Sequence, residues 1–203
     1  MQIKPFLKWV GGKTQLIDEI KKRMPKEFNR YFEPFIGGGS LFINIHNNKN
    51  IKSVINDISS ELINSYKAVQ ANPKKLIKLL DEHEKKHLLN PKEYYYLVRD
   101  QDRNKNWNQE DIFVKAARLI YLNKACFNGI YRVNKDGYFN VPWNKKLKVK
   151  LYDKDNIINL SKLLNSNVEI INDDFETVCE NAVVGKKLRF YKNINKVIKY
   201  KLK

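Results

Sequence analysis

The sequence predicts an α/β protein in which a parallel-leaning sheet is interrupted by a mostly helical insertion. Two short segments with a strand pattern, residues 30–35 and 53–57, are each followed by a break and a helical pattern, which is the order of a βαβ unit. Residues 73–126 then show helical spacing with few strand signals, and a further apolar run at 168–171 returns to the strand pattern. We therefore expect the strands to share one sheet and the helical block to be inserted between them.

The first part of the chain alternates helices and strands. A helix is predicted over residues 15–24, where apolar side chains recur at intervals of three and four. Three glycines at 37–39 end the first strand, and a helix over 41–47 follows them. The second strand leads to a helix over 59–70.

The middle of the chain predicts helices and then a hairpin. Residues 128–143 have the composition of a loop, and Asp136-Gly137 between two short apolar runs predicts a β-hairpin. A helix over 153–165 precedes the last strand. Two of the helices in the insertion begin with a proline, which suits the first turn. The insertion's helices are predicted over residues 73–89, 91–103 and 109–126.

Charge is the compositional property that bears most on function. The chain has 39 Lys and Arg against 22 Asp and Glu, a net charge of +17 that favours association with a polyanion such as nucleic acid. Heavy use of Lys, Asn and Ile, whose codons consist of A and T, also raises the charge without selection for DNA, so both explanations stand.

Apolar runs and cysteines bear on the location of the protein. No apolar run approaches the ~20 residues of a membrane helix, so we expect no membrane partner. The two cysteines, Cys126 and Cys179, are too few for a disulfide framework or a zinc cluster. We expect a cytoplasmic protein without a metal site.

The three glycines and a distant acid form the first candidate binding site. Gly37, Gly38 and Gly39 let the backbone approach a bound nucleoside, and the following helix N-terminus adds a positive dipole. Asp57 ends the next strand, at the spacing where Rossmann-type folds place a carboxylate that accepts both ribose hydroxyl hydrogens. The structural alternative is a tight turn with Asp57 capping the next helix. The spacing favours a nucleoside-containing cofactor.

Residues 9–13 form the second candidate site. Gly11 and Gly12 again permit close backbone approach, and Lys13 could neutralise a carboxylate or phosphate. The segment is not a P-loop, because the spacing of glycine and lysine in that motif is absent. Trp9 taken singly is more often a core residue, but its neighbours favour a binding site.

The predicted hairpin and the loop before it form the third candidate, for DNA. Arg132 can donate two hydrogen bonds to a guanine edge, and Asn128 can contact phosphate or adenine. Phe127 or Ile130 can insert into a base stack, and nearby lysines supply charge for the phosphate backbone. On the residues alone, a polar surface hairpin held by aromatics is an equally good interpretation.

Four motifs occur along the chain in the order KPFLKWVGGK (4–13), FEPFIGGG (32–39), NDI (56–58) and NGIYRVN (128–134). In this order they resemble the motifs of the Dam-type (D12 class) DNA adenine-N6 methyltransferases. The similarity runs from Lys4 to about Ala182 and implies a Rossmann-like sheet that binds S-adenosylmethionine, with the insertion and hairpin as the target-recognition part. It also implies methyl transfer to adenine N6 in duplex DNA at a GATC-like site, in DNA methylation or restriction–modification.

The resemblance implies a role for each matching residue. Trp9 and Lys13 would contact S-adenosylmethionine and Asp57 would take its ribose, while Asp174 and Phe175 resemble the pair beside the cofactor's adenine. Arg132 would contact a guanine. The full set implied to hold the cofactor is Trp9, Gly11, Gly12, Lys13, Glu33, Pro34, Phe35, Gly37, Gly38, Gly39, Asp57, Asp174 and Phe175. The set implied to read DNA is Phe127, Asn128, Ile130, Arg132 and Asn134.

One motif of the family is absent from these residues. Its tetrad, (Asp/Asn/Ser)-Pro-Pro-(Tyr/Phe/Trp), provides a side-chain oxygen and a prolyl carbonyl that accept the hydrogens of the adenine amine, and a ring that stacks on the flipped base. The six prolines of the chain, at positions 5, 25, 34, 73, 91 and 142, are never adjacent. We therefore expect the catalytic residues and the C-terminal strands of the sheet to be missing.

The last 21 residues differ from the rest in composition. They hold seven Lys, one Arg and no acid, which leaves residues 1–182 with +9 of the charge, and thirteen of them are Lys, Asn, Ile or Tyr. This composition suggests an A/T-rich gene read out of frame beyond Ala182, and a genuine basic tail for DNA is the alternative.

The predicted units are a cofactor-binding domain (1–72 and 144–182), a target-recognition domain (73–143) and this tail (183–203).

Three hypotheses for the chain follow from the missing tetrad. It is a methyltransferase by descent with impaired activity, or one half of a split enzyme whose second chain supplies the tetrad, or a non-catalytic DNA-binding module. Cofactor binding separates the third from the first two.

Overall fold

A three-stranded parallel sheet forms one side of the structure, which is a computed structural model that describes residues 2–12, 14–46 and 51–183. The expectations for Lys13 and for the tail beyond residue 183 lie outside the described residues. The strand order is β1-β2-β3, and both neighbouring pairs are parallel, as the sequence predicts. The strands are β1 (Arg30–Glu33), β2 (Lys52–Asn56) and β3 (Val168–Ile171).

Helices make up most of the remaining described structure. They are α1 (Ile17–Arg23), α2 (Ser40–His46), α3 (Ser60–Ala71), α4 (Pro73–Leu89), α5 (Pro91–Arg99), α6 (Ile112–Ala125), α7 (Lys154–Leu164) and α8 (Phe175–Val183). Short 3-10 turns lie at Thr14–Leu16, Asp100–Arg103, Trp107–Gln109 and Phe127–Gly129.

Side-chain caps fix where several helices begin. Asn72 accepts a hydrogen bond from the Lys75 N–H at 3.0 Å, directly before the proline that opens α4. Asp153 caps α7 in the same way, accepting from the Asn156 N–H at 3.0 Å. These local signals explain why the predicted and observed helix starts agree there.

The predicted helix over 91–103 is wrong at its C-terminal end, because α5 stops at Arg99 and continues only as a 3-10 turn. The guanidinium of Arg118, from α6, donates to the carbonyl oxygens of Val98 (3.0 Å) and Arg99 (2.6 Å). These bonds satisfy the last carbonyls of α5 from outside the helix. A contact across twenty residues therefore ends a helix that local spacing would extend.

Helix α3 lies at the centre of the core. Its Leu62, Ile63 and Tyr66 are fully buried, and it packs against α6, α7 and the sheet. The buried cluster continues from the sheet through α3 into α4, α5 and α6. The division into two domains stays a prediction.

Two further features concern the limits of the fold. Within the described residues, β1 pairs with β2 alone, so its second edge carries no strand. In the same part of the chain, no helix combines the length and the apolar character that a membrane crossing needs.

Candidate cofactor and DNA-binding site

The glycine turn lies at the carboxyl end of β1. The Ile36 N–H donates to the Asn56 carbonyl at 2.8 Å, which continues the pairing with β2 into the turn. Gly37 (φ +50°) and Gly39 (φ +75°) both adopt left-handed backbone conformations that favour glycine. The hydroxyl of Tyr66, from α3, donates to the Gly37 carbonyl at 2.9 Å and holds the turn against the core.

Asp57 follows β2 at the same edge of the sheet and bonds to the glycine turn. Its Oδ2 accepts a hydrogen bond from the Gly37 N–H at 3.1 Å, and its Oδ1 accepts from the Ser59 N–H at 3.1 Å. The capping side chain of α3 is Ser59, which accepts from the Leu62 N–H at 3.4 Å, so Asp57 is not the helix cap. Since each carboxylate oxygen has a second lone pair, Asp57 can still accept hydrogen bonds from a ligand.

Trp9 packs directly on the glycine turn. A Cβ on Gly37 would lie 3.1 Å from Trp9 Cδ1, and a Cβ on Gly38 would lie 3.6 Å from Trp9 Cβ. Gly11 (φ +79°) has no atom within 4 Å of its Cβ position, and Gly12 is exposed. The first two candidate sites are therefore one site in the structure.

Glu33 and Pro34 are buried where β1 ends. The Tyr31 hydroxyl donates to Glu33 Oε2 at 2.7 Å, and burial followed by the Glu33 charge raises the pKa of Tyr31 well above its usual range. The Pro34 carbonyl accepts from the Asn56 side-chain amide at 3.1 Å. Both residues thus shape the strand end that leads into the glycine turn.

Asp174 and Phe175 lie at the start of α8. The Phe175 ring packs on the ring of Phe35 with centroids 5.4 Å apart, and both rings are partly exposed. Asp174 Oδ1 accepts from the Glu176 N–H at 2.8 Å. The structure therefore places Phe175 next to the strand end that carries Phe35, and the role of this pair beside the cofactor's adenine stays a prediction.

Asn56 is a positioning residue that sequence reasoning missed. Its side chain is fully buried, and it exchanges two hydrogen bonds with the Asp173 backbone (2.9 and 2.8 Å) besides the bond to Pro34. These contacts hold the residues before α8 against β1 and β2. The available signal was a polar residue at the strand end, directly after Val54 and Ile55 and directly before Asp57.

The predicted hairpin is confirmed. Val133 and Phe139 form an antiparallel bridge around a turn in which Gly137 has φ +84°. Asn134 Oδ1 accepts from the N–H groups of Asp136 (3.1 Å) and Tyr138 (2.9 Å), so this side chain builds the turn itself.

Arg132 is exposed on the hairpin and held by the opposite strand. Its Nε donates to Asn140 Oδ1 at 2.8 Å, and its Nη2 lies 3.3 Å from the Asn140 carbonyl. The remaining guanidinium hydrogens are available to a ligand. The arrangement orients a cationic group on the surface.

The loop before the hairpin exposes the remaining predicted DNA-binding residues. Phe127 is 53% exposed, Asn128 is exposed with φ +55°, and Ile130 is half-buried. Lys124 lies in the preceding helix, and burial together with the nearby charge of Lys8 lowers its pKa. Two cations therefore lie close together beside this loop.

Asn123 is a second residue that sequence reasoning missed. It is buried, accepts from the Lys8 N–H at 2.9 Å, and donates to the carbonyls of Lys8 (2.8 Å) and Gly129 (3.0 Å). Glycine is favoured at position 129, because φ is +68° and a Cβ there would lie 3.1 Å from the backbone carbonyl oxygen of Asn123. Asn123 thereby joins the segment that carries Trp9 to the loop that carries Asn128.

The fold and the site define a class of protein. A parallel sheet with a glycine turn after its first strand, bonded to an acid after the next, is the Rossmann-like α/β arrangement. The chain belongs to the D12 class N6 adenine-specific DNA methyltransferase family, which matches residues 9–190.

Individual relatives agree with this membership. The chain is 42% identical over 186 residues to the type II methyltransferase M1.LlaDCHI of Lactococcus lactis subsp. cremoris, an alignment that covers 91% of this chain and 63% of the relative. It is 43% identical over 209 residues to the type II methyltransferase M.MjaIII of Methanocaldococcus jannaschii, an alignment that covers 97% of this chain and 72% of that relative. Identity to the DNA adenine methylase of Vibrio cholerae is 36% over 148 residues, covering 70% and 48%. The chain thus spans only part of each relative's length.

Proposed function

We propose that this chain binds S-adenosylmethionine at the glycine turn and duplex DNA at the hairpin, as the cofactor- and target-binding part of a DNA adenine-N6 methyltransferase. The observation that carries the proposal is the contact between Asp57 and Gly37, at 3.1 Å, with Trp9 packed on the same turn. Family membership supplies the reaction to which these parts would contribute.

The residues around the turn fit a nucleoside with a charged side chain. Asp57 keeps acceptor capacity for ribose hydroxyls, and the partly exposed rings of Phe35 and Phe175 offer flat apolar surfaces to a purine. The open space around Gly11 admits a ligand against the backbone. When bound there, S-adenosylmethionine would supply an electrophilic methyl group on a sulfonium.

The hairpin and its loop fit a nucleic acid. Arg132 presents a fixed guanidinium, the group that most often reads guanine in the major groove, and Phe127, five residues earlier, presents an exposed ring. Lys8 and Lys124 add positive charge for phosphates. We propose a GATC-like target, with Arg132 contacting its guanine.

We propose that methyl transfer depends on a segment that supplies the catalytic tetrad. The amine of adenine is a weak nucleophile, and acceptors for its hydrogens are needed as it attacks the methyl carbon. These 203 residues contain no adjacent prolines, so the chain alone is expected to bind both ligands without transferring the methyl group efficiently.

Binding and transfer assays test the proposal in sequence. Calorimetric titration with S-adenosylmethionine should show one site, and a GATC duplex should bind more tightly than a scrambled duplex of equal length. Transfer of radiolabelled methyl groups should appear when a polypeptide carrying an Asp-Pro-Pro-Tyr segment of a relative is co-expressed. A folded protein that binds the scrambled duplex equally well, and no cofactor, would instead be a non-specific DNA-binding module.

A further inference from the structure

A cavity of about 430 Å³ lies where the N-terminal segment meets the end of α6 and the start of α7. Parts of four segments line it, residues 2–6, 120–124, 150–153 and 156–159. Among the described residues, neither the glycine turn nor the hairpin contributes to this lining. The volume falls within the range of roughly 300–1,000 Å³ that small-molecule sites occupy. The cavity is therefore a candidate for a ligand other than the two already proposed.

Three lysines from different segments give the cavity its charge. Lys4 comes from the N-terminal segment, Lys124 from the last turn of α6 and Lys150 from the segment before α7. Within residues 2–12, 14–46 and 51–183, none of the three forms an ion pair. Asp153 supplies the carboxylate of the described lining, and its Oδ1 accepts from the Asn156 N–H as the cap of α7. Three ammonium groups against one carboxylate leave an excess of two positive charges.

Side chains of neighbouring helices fix the backbone at two of these lysines. The side chain of Asn156, in α7, accepts from the Lys4 N–H at 2.8 Å and donates to the Lys4 carbonyl at 2.9 Å. Directly after Lys150, the Leu151 N–H donates to Glu84 Oε1, in α4, at 2.6 Å. Cations that start from fixed positions lose less conformational freedom when a ligand binds, so the cavity is partly preorganised.

Lys124 is the half-buried member of the three. Burial, followed by the nearby charge of Lys8, lowers the pKa of Lys124, because both disfavour its charged form. A half-buried ammonium group without a carboxylate partner among the described residues is costly, and an anion in the cavity would compensate its charge. The desolvated lysine thus indicates that the ligand is negatively charged.

Neutral side chains in the lining suit the rest of such a ligand. The Tyr152 ring is half-buried, and its hydroxyl donates to Asp81 Oδ1 at 2.5 Å, which holds the ring in place. The side-chain amides of Gln2 and Asn159 line the same cavity and can donate to phosphate oxygens. The cavity therefore offers hydrogen-bond donors for an anion and a flat surface for an organic group.

We propose that this cavity binds a small phosphomonoester, whose phosphate is held by Lys4, Lys124 and Lys150. Its organic group lies against the Tyr152 ring. A phosphomonoester carries about 1.5 to 2 negative charges at neutral pH, which matches the excess of positive charge, and lysine binds phosphate as a compact point charge. A phosphate of the DNA backbone carries a single charge and would leave part of the excess uncompensated. The site does not depend on the proposed cofactor site.

Equilibrium dialysis of the full chain with radiolabelled adenosine 5′-monophosphate tests the site. Saturating S-adenosylhomocysteine, the product left after methyl transfer, is present throughout, so that the adenine of the probe does not occupy the proposed cofactor site. We expect the probe to bind. Unlabelled adenosine, which lacks the phosphate, should compete at least about 10-fold more weakly than the unlabelled monophosphate.

A double variant and a matched control locate the binding. Lys4→Gln combined with Lys150→Gln should weaken binding of the probe by about 10-fold, because two ammonium groups are replaced by neutral amides. Lys162→Gln removes an equal charge at an exposed position of α7 that does not line the cavity, and its affinity should stay within about 2-fold of the unaltered protein. Circular dichroism establishes that each variant is folded before binding is compared.

The outcomes decide between a phosphomonoester site and a merely basic surface. Weaker binding of the probe in the double variant, with full binding in Lys162→Gln, supports the site. No binding of the probe by the folded chain overturns it, as does equal affinity of the double variant or of adenosine. If the double variant loses affinity for a GATC duplex while the probe never binds, the lysines contact the DNA backbone and the phosphomonoester site is likewise overturned.

Discussion

The hydroxyl of Tyr66 occupies the place where a side chain on Gly39 would begin. A Cβ on Gly39 would lie 2.5 Å from that oxygen, which donates a hydrogen bond to the carbonyl of Gly37 at 2.9 Å. The Tyr66 ring is fully buried and meets Phe6 edge-on, with centroids 5.0 Å apart, so it cannot easily retreat. The glycine turn is therefore shaped by a helix that follows it as much as by its own glycines.

Gly39→Ala should destabilise the protein more than an alanine at another left-handed glycine. An alanine at position 39 would have to adopt φ +75°, which is strained for a residue with a Cβ, and its Cβ would also clash with the Tyr66 hydroxyl. We expect the free energy of unfolding to decrease by roughly 2–4 kcal/mol. Gly137→Ala is the control, because its φ is +84° but nothing lies within 4 Å of its Cβ position, so the loss should be about 1 kcal/mol. Urea denaturation measures both, and equal losses would contradict the role of Tyr66.

Arg132→Ala should weaken binding to the GATC duplex by roughly 5–150-fold, the range expected for loss of a bidentate contact to guanine. Binding to a scrambled duplex should weaken much less, because only the phosphate attraction is reduced. Arg30→Ala removes an equal charge at the amino end of β1, opposite the edge that carries the glycine turn, and should have little effect on either duplex. Titration at constant salt measures these affinities. An equal loss on both duplexes would make Arg132 a phosphate contact rather than a base reader.

Stability should fall as pH is lowered from about 7 to about 4, in part because of His83. Burial, followed by the charge of Lys86, lowers the pKa of His83 to about 4, and burial also lowers that of His87. The unfolded chain takes up protons below about 6.5 while the folded histidines stay neutral, so the folded state loses stability in this window. For His83 the loss reaches about 1 kcal/mol by about pH 5.5.

His83→Gln tests that pH dependence, because an amide can lie beside the Tyr94 hydroxyl without titrating. Its free energy of unfolding should depend less steeply on pH between about 7 and 5 than that of the unaltered protein. The measurement is urea denaturation at several pH values. Parallel curves for the two proteins would show that His83 titrates normally.

Asn123→Ala should impair both proposed sites at once. The substitution leaves three backbone groups of Lys8 and Gly129 without their partner in a buried region, which should cost roughly 2–4 kcal/mol of stability. Because Lys8 precedes Trp9 and Gly129 follows Asn128, affinity for cofactor and duplex should both decrease. Asn128→Ala is the control and should weaken DNA binding alone. Unchanged cofactor affinity in a folded Asn123→Ala protein would show that Asn123 does not connect the segment carrying Trp9 to the loop carrying Asn128.

Local signals allowed much of the fold to be predicted from the sequence. The predicted helix over 73–89 coincides with α4, because Asn72 and Pro73 mark its start. The predicted strand over 168–171 coincides with β3, because its apolar residues form a short segment with polar residues on both sides. The placement of Asp57 and the glycine turn at the same edge of the sheet also followed from spacing, because parallel strands bring their carboxyl ends together. The hydrogen bond between Asp57 and Gly37 is a finding of the structure.

Long-range polar contacts could not be predicted in the same way. Arg118, Asn123 and Tyr66 occupy positions in helical patterns where periodicity indicates only that a residue faces the core. Their partners lie in other elements, so the sequence shows neither that their polar atoms are satisfied nor by which groups. The stack of Tyr131 on Trp9 belongs to the same class, because it joins segments more than a hundred residues apart.

Calorimetric titration of the chain and its Asp57→Asn variant with S-adenosylmethionine shows whether the carboxylate beside the glycine turn holds the cofactor. The amide keeps the size of the side chain but lacks one acceptor, so we expect single-site binding to the unaltered protein and at least about 10-fold weaker binding to Asp57→Asn. Asp155→Asn, an exposed acid on α7, should bind like the unaltered protein. Equal affinity of the Asp57→Asn variant, or no binding by the folded unaltered chain, would show that Asp57 and the glycine turn do not form a cofactor site.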